Sequence, residues 1–295
     1  MLEGTAAAEP TPKTPASVPS SSAAGRIRAS HLTQVRCLGR GCTDRAAARF
    51  RLRDLGIRFA VEYILEAETM ERVCEVNWLG LVDYQETWEL QLRLVRERAQ
   101  GHIPDQLLLL EHPHVFTLGR RGRTANVLSS DQDIVAAGAQ LIHSDRGGDV
   151  TYHGPGQLVG YPILYLEESE RDVPRYVRRL EEAIVRTLAG FGIAAGREPG
   201  FPGVWVREEK VCAVGVKISE WVTLHGFALN VSTDMSMWRH IVPCGIAGKG
   251  VTSMERLLPS APSTNAVGER FVERFGDVFE RRMVTRPAGV AAARG

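Results

Sequence analysis

Lys210-Val211-Cys212-Ala213-Val214-Gly215-Val216-Lys217-Ile218, then Ser219-Glu220, then Trp221-Val222-Thr223-Leu224-His225-Gly226-Phe227-Ala228-Leu229-Asn230-Val231, is the stretch whose reading decides the fold. β-Branched and aromatic residues crowd both halves, and two polar residues separate them. This pattern predicts two antiparallel strands joined by a tight hairpin. Alternation along the first strand puts Lys210, Cys212, Val214, Val216 and Ile218 on one face and Lys217 on the other. A Ser219-Glu220 connection would set Ile218 opposite Trp221, and Lys210 opposite Leu229. Lys210 then lies beside the exit of the hairpin, from which the chain runs on to Cys244.

Short apolar runs of the same kind predict further strands at 74–79, 107–110, 115–118, 141–143, 150–152, 158–164 and 204–206. Helical spacing and caps predict helices at 83–99, 172–188 and 265–279. Asp83 caps the first, whose apolar stripe is Tyr84, Trp88, Leu92 and Val95, while Pro174 and Gly190 bracket the second. Strands that follow one another through short turns, with few helices, predict an α+β fold with a mixed, largely antiparallel sheet and flanking helices. The folded domain is expected over 71–285, with a tail at 286–295. Residues 1–70 open on an Ala-, Pro-, Ser- and Thr-rich segment and continue Arg-rich, so they read as a disordered or poorly structured extension. An organellar transit segment, or translation that truly starts at Met70, are the other readings.

Composition bounds the function. A formal charge of +1 over 295 residues gives no support for bulk nucleic-acid binding. No apolar run approaches the roughly 18 residues of a membrane span. Cys37, Cys42, Cys74, Cys212 and Cys244 are odd in number and scattered, without a CxxC pair. That pattern argues for a reducing compartment and against a disulfide framework or a zinc site. Lys13, Lys210, Lys217 and Lys249 are the only lysines, so Arg supplies almost all the positive charge. A lysine here can mark a place where a removable proton matters, because Arg does not release one; simple solubility is the plainer reading.

Two loops carry candidate chemistry. In 146–157, RGGDVTYHGPGQ, glycine pairs bracket a short strand, which suits close approach of a ligand to backbone N–H groups; a Gly-rich hairpin is the bland alternative. No Gly-Lys-Ser/Thr follows, so it is not a P-loop. In 241–250, IVPCGIAGKG, Cys244 lies between Pro and Gly ahead of a glycine-rich loop whose amides could form an oxyanion hole. A lone cysteine is most often a small buried hydrophobe. Cys212, mid-strand among Val and Ala, fits that description better than Cys244 does.

These segments, in this order, together with HGFALNV and with EHPHVFTLGR at 111–120, resemble lipoate-protein ligase B, the family of octanoyl-acyl carrier protein:protein N-octanoyltransferases. The resemblance covers roughly 73–283 and implies the core shared by biotin and lipoate ligases. It places the family's cysteine on Cys244 and its catalytic lysine on Lys210, not Lys217. It places substrate contacts on Arg146, Gly147, Gly148, Asp149, Val150, Thr151, Tyr152 and His153, on Ala213, Val214 and Gly215, and on Gly226, Phe227 and Ala228. Trp238 stands where the family would carry a smaller aromatic, a change expected to reshape the acyl pocket. The resemblance further implies an octanoyl-acyl carrier protein donor and a thioester on Cys244. It implies acceptor lysines in the lipoyl domains of 2-oxoacid dehydrogenase complexes and the glycine cleavage H protein. No cofactor, metal, nucleic acid or membrane enters, and the expected location is cytoplasmic, with mitochondrial as the alternative. An ATP-dependent lipoate or biotin ligase on the same fold, and a non-catalytic binder of carrier or lipoyl domains, are the competing readings.

Overall fold

The computed structural model describes residues 72–245 and 248–285, so the expected extension at 1–70 and tail at 286–295 lie outside the described residues. In chain order the elements are β1 (Val73–Leu81), α1 (Tyr84–Ala99), β2 (Asp105–Glu111), β3 (Val115–Leu118), α2 (Asp131–Ala136), β4 (Gln140–His143), β5 (Val150–His153), β6 (Gln157–Ile163), α3 (Val173–Ala189), β7 (Gly196–Glu198), β8 (Phe201–Val206), β9 (Glu209–Ser219), β10 (Val222–Asn230), β11 (Gly250–Val251), α4 (Met254–Leu257), α5 (Thr264–Phe279) and β12 (Arg282–Thr285). The large sheet runs β12-β1-β2-β6-β10-β9-β8-β7, with β11 added on β9, and a small sheet runs β4-β3-β5. β1 pairs in parallel with β12 and β2, and β3 with β4. The β2-β6-β10-β9-β8 core of the large sheet is antiparallel. The fold is therefore α+β with mixed sheets, as expected.

The Asp83 cap acts as the sequence predicts: its Oδ1 accepts from the Gln85 and Glu86 amides at 2.7 and 3.3 Å. Asp172, read from sequence as the first residue of its helix, is the cap of α3 and accepts from the Arg175 amide. Tyr176, Leu180, Ala183, Ile184 and Leu188 make the buried stripe of α3, and Val267, Phe271, Phe275 and Phe279 that of α5. Both stripes close over one face of the large sheet in the main core, with Leu107, Leu158, Phe227 and Leu229 beneath them. On the opposite face, Leu90 and Leu94 of α1 pack with Leu108, Val159 and Ala228. Phe116, Tyr152, Trp238 and Ile241 form a separate core under the small sheet.

The expected stripe of α1 is corrected. Its buried positions are Tyr84, Thr87, Gln91 and Val95, while Trp88 and Leu92 are only half-buried. Polar residues take the inner face because the sheet needs a polar group there: the His225 amide donates to Gln91 Oε1 at 2.7 Å.

The hairpin register is corrected as well. Ser219 pairs with Val222, Ile218 with Thr223 and Cys212 with Leu229, a shift of two residues. The turn is Glu220-Trp221, both at positive φ (52° and 60°), which is the twist a two-residue hairpin favours. An even shift preserves which side chains share a face. What changes the face of Lys210 is a β-bulge. Val204 pairs with Cys212, but Trp205 pairs with Lys210, so one extra residue sits on β9. Val204, Val211 and Cys212 all belong to the main core, and Lys210 is turned to the other side with Trp205. The expected common face of Lys210 and Cys212 does not form.

Candidate active site

A cavity of about 580 Å³ lies between the two sheets. The small sheet contributes the segment leading into β5 and β5 itself; the large sheet contributes β9 and β10. Arg146, Gly147, Gly148, Asp149, Val150, Thr151, His153, Lys210, Ala213, Val214, Gly215, Gly226, Phe227 and Ala228 all line it. Tyr152 does not. Strand alternation turns it into the small-sheet core, where its hydroxyl pairs with His114 Nδ1 at 2.6 Å. Trp238 stands edge-on to Tyr152 at 5.7 Å in that same core and is absent from the cavity wall.

Arg146 is buried and braced by its own sheet. Its Nε donates to Thr117 Oγ1 at 2.9 Å, and its Nη2 to the Thr117 carbonyl at 2.5 Å. Asp149 organises the rim: Oδ1 accepts from the Arg123 and Val150 amides, and Oδ2 from Asn126 Nδ2. The backbone of Cys244 sits in a 3-10 turn, Pro243–Gly245, whose Gly245 also lines the cavity. Gly245 has φ 67°, and a Cβ there would lie 2.5 Å from Asp149 Oδ2, so only glycine fits. Ile246 and Ala247 of the expected oxyanion loop, and the Cys244 side chain, lie outside what is described.

Lys210 is 5% exposed. Its Nζ donates to the Pro202 carbonyl at 3.0 Å and stands 4.8 Å from the Trp205 ring centroid. A Cβ at Gly203 would come within 3.3 Å of the lysine stem, so the absent side chain makes room for it. After the Cys244 turn the chain returns as β11, where Val251 pairs with Lys210 and the Thr252 amide donates to the Lys210 carbonyl. The turn that carries Cys244 and the strand that carries Lys210 are thereby tied together through the backbone. Burial pushes the Cys212 thiol far above its ordinary range, which keeps it protonated.

Tyr84, Tyr161, His225, Arg121 and Arg123 also line the cavity, and the sequence reading missed them. Only His225, next to Gly226 in HGFALNV, carried any signal. Burial holds His153 well below the ordinary histidine range, so the wall it shares with Tyr84 and Tyr161 is polar but uncharged at that point. Among the described residues no group of three His, Cys, Asp or Glu could hold a metal ion, and no helix is long and apolar enough to cross a membrane.

Residues 83–276 match the model of the lipoyl protein ligase A/B catalytic domain. The chain is 54% identical over 222 residues to an octanoyltransferase of Solibacter usitatus, covering 75% of this chain and all of that one. It is 50% identical over 218 residues to an octanoyltransferase of Rubrobacter xylanophilus, covering 73% and 98%. In fold it is similar to lipoate-protein ligase A bound with ATP, with a TM-score of 0.57 at 16% identity, covering 74% and 90% of the two chains. A chain from an archaeal lipoylation system, a bipartite lipoate protein ligase and its E2 lipoyl domain from Thermoplasma acidophilum, matches with a TM-score of 0.54 at 16% identity, covering 74% and 88%. The chain belongs to the lipoyl protein ligase A/B catalytic-domain family. Its place there is among the octanoyltransferases of the lipoate-protein ligase B type, which makes it an acyltransferase.

Proposed function

We propose that this acyltransferase moves an octanoyl group from octanoyl-acyl carrier protein, through a thioester on Cys244, to a lysine of lipoyl domains. The acceptors are the lipoyl domains of 2-oxoacid dehydrogenase complexes and the H protein of glycine cleavage. The observation that carries the reading is that one cavity gathers Lys210, Gly245 of the turn that carries Cys244, and every residue of the Arg146–His153 segment except Tyr152, in a chain half-identical to octanoyltransferases. The reading takes 71–285 as the catalytic domain and a bacterial cytoplasm as its location.

In this mechanism Lys210 takes the Cys244 proton and the thiolate attacks the octanoyl carbonyl. Backbone amides of the following loop stabilise the oxyanion, the carrier thiol leaves with a proton, and octanoyl remains on Cys244. The acceptor amine then attacks the thioester, Lys210 receives its proton, and Cys244 is released as the amide forms. Transfer from thioester to amide runs downhill, so ATP has no role. The bulge that turns Lys210 away from the core supports this assignment, and so does the burial that keeps Cys212 a thiol.

The test is intact-protein mass after mixing with octanoyl-acyl carrier protein without ATP. Wild type and Cys212→Ala should each gain one octanoyl group and lose it to a lipoyl domain, while Cys244→Ser gains none. An adduct that survives in Cys244→Ser would refute the nucleophile. Octanoylation of the lipoyl domain only with ATP would instead support the competing ligase reading.

A further inference from the structure

Asp145, the residue before the Arg146–Asp149 segment, joins the two sheets at the cavity. Its Oδ1 lies 2.6 Å from His225 Nε2 on β10, and its Oδ2 lies 2.6 Å from Lys217 Nζ on β9. Two residues on, the Gly147 amide donates to the Val216 carbonyl at 3.0 Å. The backbones meet without room for side chains: a Cβ on Gly215 would lie 2.8 Å from the Gly147 carbonyl oxygen. The segment is thus laid flush on the β9-β10 hairpin and fastened there by charge.

His225 is held in a costly conformation at this point. Its φ is 55°, left-handed for a bulky residue within a strand, where strain of about 1–3 kcal/mol is usual. The β10 ladder with β6 runs from Phe227 to Asn230 and does not include it. Its amide goes instead to Gln91 and its imidazole to Asp145. With Nε2–H donated to the carboxylate, Nδ1 is left as an acceptor. That atom has no hydrogen-bond partner among the described residues, and the ring is 1% exposed against the cavity. Strain that the surroundings enforce beside a cavity points to a role in positioning.

We infer that Asp145, acting through His225 and Lys217, is a positioning residue for acyl transfer: it fixes the Arg146–Asp149 wall and the His225 ring against the bound donor. The inference rests on the acyl-transfer reading of the cavity. Asp145 holds its charge throughout the working range, because the His225 hydrogen bond and the Lys217 ammonium outweigh partial burial and keep the carboxyl at about 2. The test measures the rate of Cys244 acylation against donor concentration for full-length wild type, Asp145→Asn, Lys217→Met and Lys217→Arg. Loss of the clasp misplaces the wall, so Asp145→Asn and Lys217→Met should each lower the saturated rate about tenfold or more while donor KM moves less than about threefold. Lys217→Arg, which keeps the charge, should restore the rate. A clasp that served stability alone would lower Tm and leave the saturated rate of folded protein unchanged; that result overturns the inference. Wild type that takes no octanoyl group sinks the acyl-transfer reading, and this inference with it.

Discussion

Replacing Arg281 by Met tests what holds the edge of the large sheet together. The Arg281 side chain is fully buried between two carboxylates. Its Nε meets Asp105 Oδ2 at 2.8 Å, its Nη2 meets Glu170 Oε2 at 3.3 Å, and its Nη1 donates to the Phe279 carbonyl at 2.6 Å. Removing one member of a buried ion pair costs about 3–5 kcal/mol, because the partner charge stays behind. Here neither carboxylate is wholly orphaned: Arg98 still holds Asp105 at 2.6 Å, and Arg72 still holds Glu170 at 2.7 Å. The lower end, about 3 kcal/mol, is therefore expected. For a domain of this size that is a fall in Tm of about 6–12 °C. The loss should also depend on pH. Burial pushes the Glu170 carboxyl up, but Arg72 and Arg281 outweigh it and hold it at about 2, below its ordinary 4.5. A depressed carboxyl contributes stability above its unfolded pKa, and that contribution fades as pH falls through the folded value. The variant's deficit should thus be full at pH 7 and shrink between 4.5 and 2. Urea unfolding followed by circular dichroism at pH 7 and at lower pH checks both points. A variant within about 1 kcal/mol of wild type at pH 7, or a deficit that ignores pH, would refute the reasoning. The rate of transfer by folded protein should not change, since these residues do not line the cavity.

Two further outcomes concern the cavity. Lys210→Arg keeps the positive charge but cannot release a proton, so the transfer rate should fall by about 10²–10⁴-fold with the far-ultraviolet spectrum intact; a rate within a few-fold of wild type would remove Lys210 as the base. Gly226→Ala would place a Cβ 2.1 Å from the Gly160 carbonyl oxygen and 2.8 Å from Pro162 Cδ, where little can give way. Denaturant unfolding should show a loss of about 1–3 kcal/mol or more, and an unchanged midpoint would mean that β6 and β10 can part there at little cost.

The longer strands and the three long helices were legible because local chemistry sets them: β-branched and aromatic runs over β9 and β10, and the capping Asp83 before α1. The short α2, α4, β7, β11 and β12 carry too few residues for a pattern and were not read. The hairpin register was not, because Glu220 and Trp221 adopt left-handed φ without the Asn or Gly that normally announces it. The bulge at Lys210 left no mark either. Simple alternation would continue straight through Lys210-Val211-Cys212, and the space that permits the departure comes from Gly203 on the neighbouring strand. Within the site, the glycine-bracketed segment and the Lys210 strand could be found as continuous motifs. Tyr84, Tyr161 and His225 arrive from three separate elements, and only the folded sheet brings them to one wall.

The bulge also makes β9 a strand with two phases. Before it, even-numbered Lys210 turns away from the core; after it, even-numbered Cys212, Val214 and Val216 pack with the core. Spacing is therefore information here, separate from residue identity. Exchanging Val211 for another apolar residue keeps that count, and deleting it would leave Lys210 next to Cys212 and still on the opposite face, whereas drawing the bulge straight with every residue kept would turn the lysine toward the helices. A frame of one residue, rather than any single contact, decides which side of the sheet can do chemistry.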